Sequence, residues 1–253
     1  MDSYLFGPPL IVAFVILSGV GVLFARRFGS ITRDDSDHDI IGYLFTVAAG
    51  LYGILLGLVV VNAIETFNDA QKVVNAEATS LESIYLLAET EPAELRRDIR
   101  ELCRNYTRSI IEEEWQTMQN GSLSEATRDR IITLAKRIIQ SHTNAPEFRS
   151  KLLDAFTKVW NARRERIDKL GQDIPTVEWI ALCLGGILTL GISYLFKMKR
   201  QGLHVLSAMI LSTMIGINLW LILLFGSPYS GDLTVTAEPY HRAMLTFDRI
   251  DRD

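Results

Sequence analysis

Long apolar runs occupy residues 5–24, 40–64, 179–196 and 203–225, two hairpins that bracket a charged middle. Each run approaches or exceeds the ~20 residues that an α-helix needs to cross a bilayer core. Lipid offers no hydrogen-bond partner to the backbone, so a crossing segment is a helix or part of a closed barrel, and none of these runs alternates as barrel strands do. The pattern predicts an all-α protein with four transmembrane helices in two hairpins and a helical bundle domain inserted between spans two and three. Its expected parts are a first transmembrane hairpin (1–64), a water-exposed helical domain (65–173), a second transmembrane hairpin (174–225) and a polar C-terminal tail (226–253).

Polar and apolar positions in the middle alternate with helical period. From residue 70 to 87, Val73, Val74, Ala78, Leu81, Ile84 and Tyr85 share one face, and no Gly or Pro interrupts the chain between Ile64 and Ala88. The second span is therefore expected to leave the membrane as one long helix that ends before Pro92. A second helix carries Leu95, Ile99, Leu102, Tyr106, Ile110 and Trp115, and Asn120-Gly121 is a turn signal. A third runs over 124–140, and a fourth begins at Pro146, after a break at 144–145, and reaches Leu170. In the tail, 238–250 reads as a short amphipathic helix that packs on the domain or lies on the membrane.

Charge adds orientation. Most of the 26 Lys and Arg and of the 30 Asp and Glu lie in 65–173, nearly balanced and without an acidic or basic block. A nucleic-acid footprint needs clustered Lys and Arg, so no nucleic acid is expected as a partner. Arg26, Arg27 and Arg33 follow the first span, and Lys197, Lys199 and Arg200 separate the last two, whereas the N-terminal tip and residues 226–240 lack Lys and Arg; Arg163, Arg164, Arg166 and Lys169, close before the third span, weigh the other way. The positive-inside rule places the short loops in the cytoplasm, with the helical domain and both termini outside. The expected location is a bacterial inner membrane.

Candidate chemistry is sparse. Cys103 and Cys183 form no framework, and His38, His142, His204 and His241 lack metal-site spacing, each reading as a surface or interfacial histidine. Consecutive carboxylates point in different directions, so Glu112-Glu113-Glu114 reads as solvated charge. No nucleophile or phosphate-binding motif is framed here. We expect no enzyme, no catalytic residue, no metal and no cofactor.

The second span is the most patterned segment. Gly42, Thr46, Gly50, Gly53 and Gly57 recur every three or four residues along one helix face, followed by Val61, Asn62 and Glu65. Small residues at that spacing admit another backbone closely. The stripe reads as a packing seam or as the lining of a pathway in an oligomer, and both readings hold at once if copies of this helix surround an axis. The expected pore-lining set is Thr46, Gly50, Gly53, Gly57, Val61, Asn62 and Glu65.

The stretch His38-Asp39-Ile40-Ile41-Gly42-Tyr43-Leu44-Phe45, continuing through Leu51-Tyr52-Gly53-Ile54-Leu55-Leu56-Gly57, resembles the second span of the bestrophin-like family. Glu77-Ala78 with Leu81 and Tyr85, Glu113-Glu114-Trp115, Ser227-Pro228-Tyr229-Ser230-Gly231 and Glu238-Pro239-Tyr240 extend the resemblance along the chain. It implies similarity to bestrophins, pentameric anion channels whose second span lines the pore and is followed by a helical domain. By that analogy the chain is a homo-oligomeric, anion-permeable channel, a pentamer in the bilayer that passes inorganic ions. Arg96, Arg97, Arg100 and Arg104 would then attract anions in a vestibule. Two departures stand out. The stripe is mostly glycine where bestrophins have an aromatic and aliphatic neck, and the acidic calcium clasp has no counterpart, since Asp232 is the one acid in 226–237. Bestrophin helical domains are also cytosolic, against the loop charges here. The alternative function is a non-conducting scaffold or sensor whose helical domain binds a partner.

Overall fold

The computed structural model describes residues 3–27, 35–140, 146–171, 174–196 and 200–252, and their regular structure is helical throughout. In chain order the helices are α1 (Ser3–Arg27), α2 (Asp35–Leu87), α3 (Ala93–Ser109), α4 (Trp115–Gln119), α5 (Glu125–Ile139), α6 (Pro146–Asp168), α7 (Thr176–Leu195), α8 (Gln201–Phe225) and α9 (Glu238–Ile250). α1, α2, α7 and α8 are long and apolar enough to cross a membrane. At 1.5 Å per residue even α7, with 20 residues, covers about 30 Å, a bilayer core. The chain is an integral membrane protein. Of the loop charges behind the expected orientation, Arg33, Lys197 and Lys199 lie outside the described residues, as does the break at 144–145.

The chain divides into two compact units. One comprises Met1–Thr66 and Asp173–Gly226, the other Phe67–Gln172 and Ser227–Asp253. The tail thus groups with the polar unit, through α9.

In the apolar unit, Tyr52, Leu56, Val59 and Val60 of α2 form a buried cluster with Leu182 and Leu190 of α7 and Ile215 and Ile222 of α8. Tyr52 fits because Gly185 and Gly186 lack side chains: a Cβ at Gly185 would collide with its ring. Several hydroxyls here find partners inside the protein, as apolar surroundings require. Tyr52 Oη donates to the Leu182 carbonyl at 3.1 Å, Tyr194 Oη to Ser18 Oγ at 3.2 Å, and Ser18 Oγ to the Ala208 carbonyl at 3.3 Å.

In the polar unit, the second half of α2, α3, α5, α6 and α9 share a core that includes Leu81, Ile84, Ile99, Ile131, Leu134, Leu152, Val159 and Phe247. Ser124 caps α5, its Oγ accepting from the Thr127 amide at 3.2 Å. Two turns need glycine: Gly121 after α4 has φ 71°, and Gly231 in the segment before α9 has φ 97°. The expected second helix is not one α-helix. A π turn, Ile110–Glu114, separates α3 from α4, and such turns are frequent at functional sites.

Candidate functional site

α2 has two unlike faces in the apolar unit. Tyr52, Leu56, Val59, Val60 and Ala63 are buried, whereas Thr46, Gly50, Gly53, Gly57, Val61, Asn62 and Glu65 are exposed. At 3.6 residues per turn, Thr46, Gly50, Gly53, Gly57 and Val61 fall in one line, Glu65 lies beside it and Asn62 further round. A Cβ added at Gly42, Gly50, Gly53 or Gly57 would meet nothing within 4 Å. The glycine stripe is therefore not a packing seam inside the subunit; that role falls to Gly185 and Gly186. Thr46 satisfies its own hydroxyl by donating to the Gly42 carbonyl at 2.9 Å.

The four candidate vestibule arginines of α3, Arg96, Arg97, Arg100 and Arg104, are not equivalent. Arg100 Nη2 donates to Glu89 Oε2 at 2.7 Å, and Arg96 also pairs with Glu89. Arg104 donates to Asp248 Oδ1 at 2.6 Å and to Asp251 Oδ2 at 2.8 Å, joining α3 to the end of α9. Both Arg100 and Arg104 lie over the Tyr85 ring, which stacks on Phe247 with centroids 4.2 Å apart. Tyr85 Oη accepts from Arg104 Nε at 2.9 Å and donates to Asp251 at 2.7 Å. Burial alone would raise the Asp251 carboxyl, but the Tyr85 hydrogen bond and the Arg104 and Arg100 charges hold it below the ordinary aspartate range. Arg97 is exposed and has no ion pair among the described residues.

The densest polar constellation lies elsewhere, in the core of the polar unit. Arg166 is fully buried. It donates from Nε to Glu77 Oε2 at 2.8 Å, and from Nη2 to Glu77 Oε1 at 3.2 Å and Glu114 Oε2 at 3.0 Å. Arg163, one turn earlier on α6, grips Glu114 with both Nη atoms at 2.6 Å. Tyr106 Oη donates to Glu77 Oε1 at 2.6 Å, and Tyr240 Oη to Glu77 Oε2 at 2.8 Å. Trp115 packs edge-on against both Tyr229 and Tyr240. Two carboxylates and two guanidiniums from α2, the π turn and α6 thus cancel in charge, and the tyrosines of α3 and α9 complete the hydrogen bonding. Burial alone would lower Arg166, but Glu77 and Glu114 raise it well above its ordinary value, so it stays charged. Burial pushes the Tyr106 and Tyr240 hydroxyls up, keeping them as donors.

Glu114 is the main correction: the sequence predicts solvated charge there, and the side chain is wholly buried. The signal was present: Glu114 stands four residues after Ile110, on the apolar face of the helix. Glu77, between Val74 and Leu81, and Arg166, seven residues after Val159, likewise occupy apolar-face positions. A charge at such a position marks a buried partner rather than a solvated face. His204 is a second correction, since it is buried with Nε2 3.0 Å from the Ser193 carbonyl. Among the described residues, no group of three or more His, Cys, Asp or Glu is placed to hold a metal.

Comparison with known proteins bears on this arrangement. The fold is similar to a solved membrane protein carrying a proline-to-alanine substitution, with TM-score 0.72, 12% identity and 99% of each chain covered. It is also similar to two variants of a bacterial bestrophin homologue from Klebsiella pneumoniae. The Leu-to-Thr variant gives TM-score 0.71 at 11% identity over 96% of this chain and 99% of the other. The Ile-to-Thr variant gives 0.69 at 12% identity over 98% and 99%. At such identities the likeness speaks for the fold. No curated protein matches the chain. Residues 12–240, nearly the whole chain, match the bestrophin-like domain, and the chain is a member of the bestrophin-like family.

Proposed function

We propose that this chain is one subunit of a homo-oligomeric ion channel of bestrophin type, with α2 lining the pathway. The observation that carries the reading is the split character of α2. One face is packed into the subunit, while the line from Thr46 to Val61, with Asn62 and Glu65 near its polar end, is left uncovered. Four spans leave little room for a pore within one subunit, so conduction requires copies arranged in a ring, a pentamer by analogy with bestrophins. Small residues then keep the pathway open where larger ones would fill it. Anion permeability is supported by Arg97, whose charge is unpaired among the described residues; Arg96, Arg100 and Arg104 serve chiefly to tie α3 to neighbouring acids.

Chloride flux into liposomes reconstituted with the purified oligomer tests this reading. We expect flux above empty liposomes, abolished by Gly53→Leu with Gly57→Leu, while subunit folding is unchanged because both positions face open space. An Arg97→Glu variant should lower chloride flux relative to potassium flux. Absence of flux from a correctly assembled oligomer would transfer the protein to the second reading, a scaffold or sensor. Exposed Leu123 and Trp160 on the polar unit favour that alternative.

A further inference from the structure

α5 and α6 leave an open cleft of about 580 Å³ in the polar unit, away from the arginine cluster of α3. Small-molecule sites typically measure about 300–1,000 Å³. Its apolar wall is made by Leu123, Ile131, Trp160 and Ile167, of which Leu123 and Trp160 leave 43% and 42% of their surface exposed. Arg128 and Arg164 stand at this wall, both exposed and neither in an ion pair or side-chain hydrogen bond among the described residues. Arg163 closes the inner side, but its guanidinium is committed to Glu114. Glu125 is the one acid lining the cleft, so two uncommitted positive charges face one negative charge.

We propose that this cleft binds a small amphipathic carboxylate. Its aryl or aliphatic body lies against Trp160 and Leu123, and its carboxylate is held by Arg128 and Arg164. Two properties of the lining select that class together. A guanidinium fork matches a carboxylate with two parallel hydrogen bonds, and an exposed indole gains by covering its face with an apolar or aromatic body. An inorganic anion would use the arginines and leave the apolar wall in water. A neutral hydrocarbon would cover the wall and strip water from two charges without replacing it. Only a ligand with both parts satisfies both. The proposal does not depend on ion conduction, because every residue in it belongs to the polar unit.

The test is fluorine NMR of 4-fluorobenzoate titrated into the detergent-purified full chain, with empty micelles as reference and 4-fluorobenzyl alcohol as the neutral counterpart. We expect saturable line broadening with the benzoate and at least roughly tenfold weaker binding of the alcohol. Each of Arg128→Gln and Arg164→Gln should weaken benzoate by roughly tenfold, the loss of one charge-assisted contact. Both side chains are exposed and unpaired, so melting temperature and elution volume should match wild type. Trp160→Leu provides an independent variant and should weaken the benzoate and its alcohol alike. Broadening no greater than in empty micelles, equal binding of the alcohol, or benzoate binding indifferent to both arginine substitutions would overturn the proposal.

Discussion

Single residues carry unequal weight, and burial decides which. Glu77, Glu114, Arg163 and Arg166 form a neutral, hydrogen-bonded set inside an apolar core, where removing one partner leaves the other charge without compensation. Breaking such a buried pair typically costs about 3–5 kcal/mol. Glu114→Gln or Arg166→Met should lower stability by that order in chemical denaturation of the solubilised protein. Arg164→Gln, exposed and unpaired one helix position from Arg163, should stay within about 0.5 kcal/mol of wild type. Asp251 gives a pH-dependent counterpart. Its carboxyl is depressed in the folded protein, so its contribution is complete above the unfolded value of about 3.9 and is lost as pH falls through the lower folded value. The difference in melting temperature between wild type and Asp251→Asn should hold at neutral pH and shrink as pH falls below the unfolded value of about 3.9. A difference that grows with acidity would contradict the assignment.

Helices contribute through which face they offer. The glycines of α2 and α7 look alike in the sequence but have opposite surroundings. A Cβ at Gly185 collides with the Tyr52 ring, whereas a Cβ at Gly53 meets open space. Gly185→Ala should therefore destabilise by about 1–3 kcal/mol through overpacking and loosen the Tyr52 bond to the Leu182 carbonyl. Gly53→Ala should be neutral, or stabilising by up to about 1 kcal/mol, from the lower backbone freedom of alanine. Thermal unfolding of the two variants side by side checks the contrast. The π turn is a second lesson at this scale. Hydrophobic period predicted a helix through Tyr106, Ile110 and Trp115, and helix is what the chain forms. The extra residue in one turn leaves no mark in the hydrophobic period; Glu114 within that turn meets α6, and Trp115 just after it meets α9.

For the whole molecule, the assembly and its direction in the membrane follow from proposals about surfaces and loop charges. If the loops after the first and third spans are cytoplasmic, a cysteine placed at exposed Thr133, in a background lacking Cys183, should react with a membrane-impermeant maleimide in intact cells. Labelling only after lysis would place the polar unit in the cytoplasm. The four spans, the long α2 and the helices of the polar unit were legible in the sequence because lipid and water impose strong, periodic demands on local composition. The same reading placed Glu77, Glu114-Trp115 and Tyr240 among the residues shared with a family, yet brought no two of them together. The resemblance also implies that Arg96, Arg100 and Arg104 attract anions in a vestibule, with no partner named for any of them. Tertiary structure alone decided that Glu89, Asp248 and Asp251 neutralise those arginines and that Glu114 is buried between two others. The reason is physical: hydrophobic period reports which side of a helix leaves water, whereas charge pairing depends on which distant segments meet.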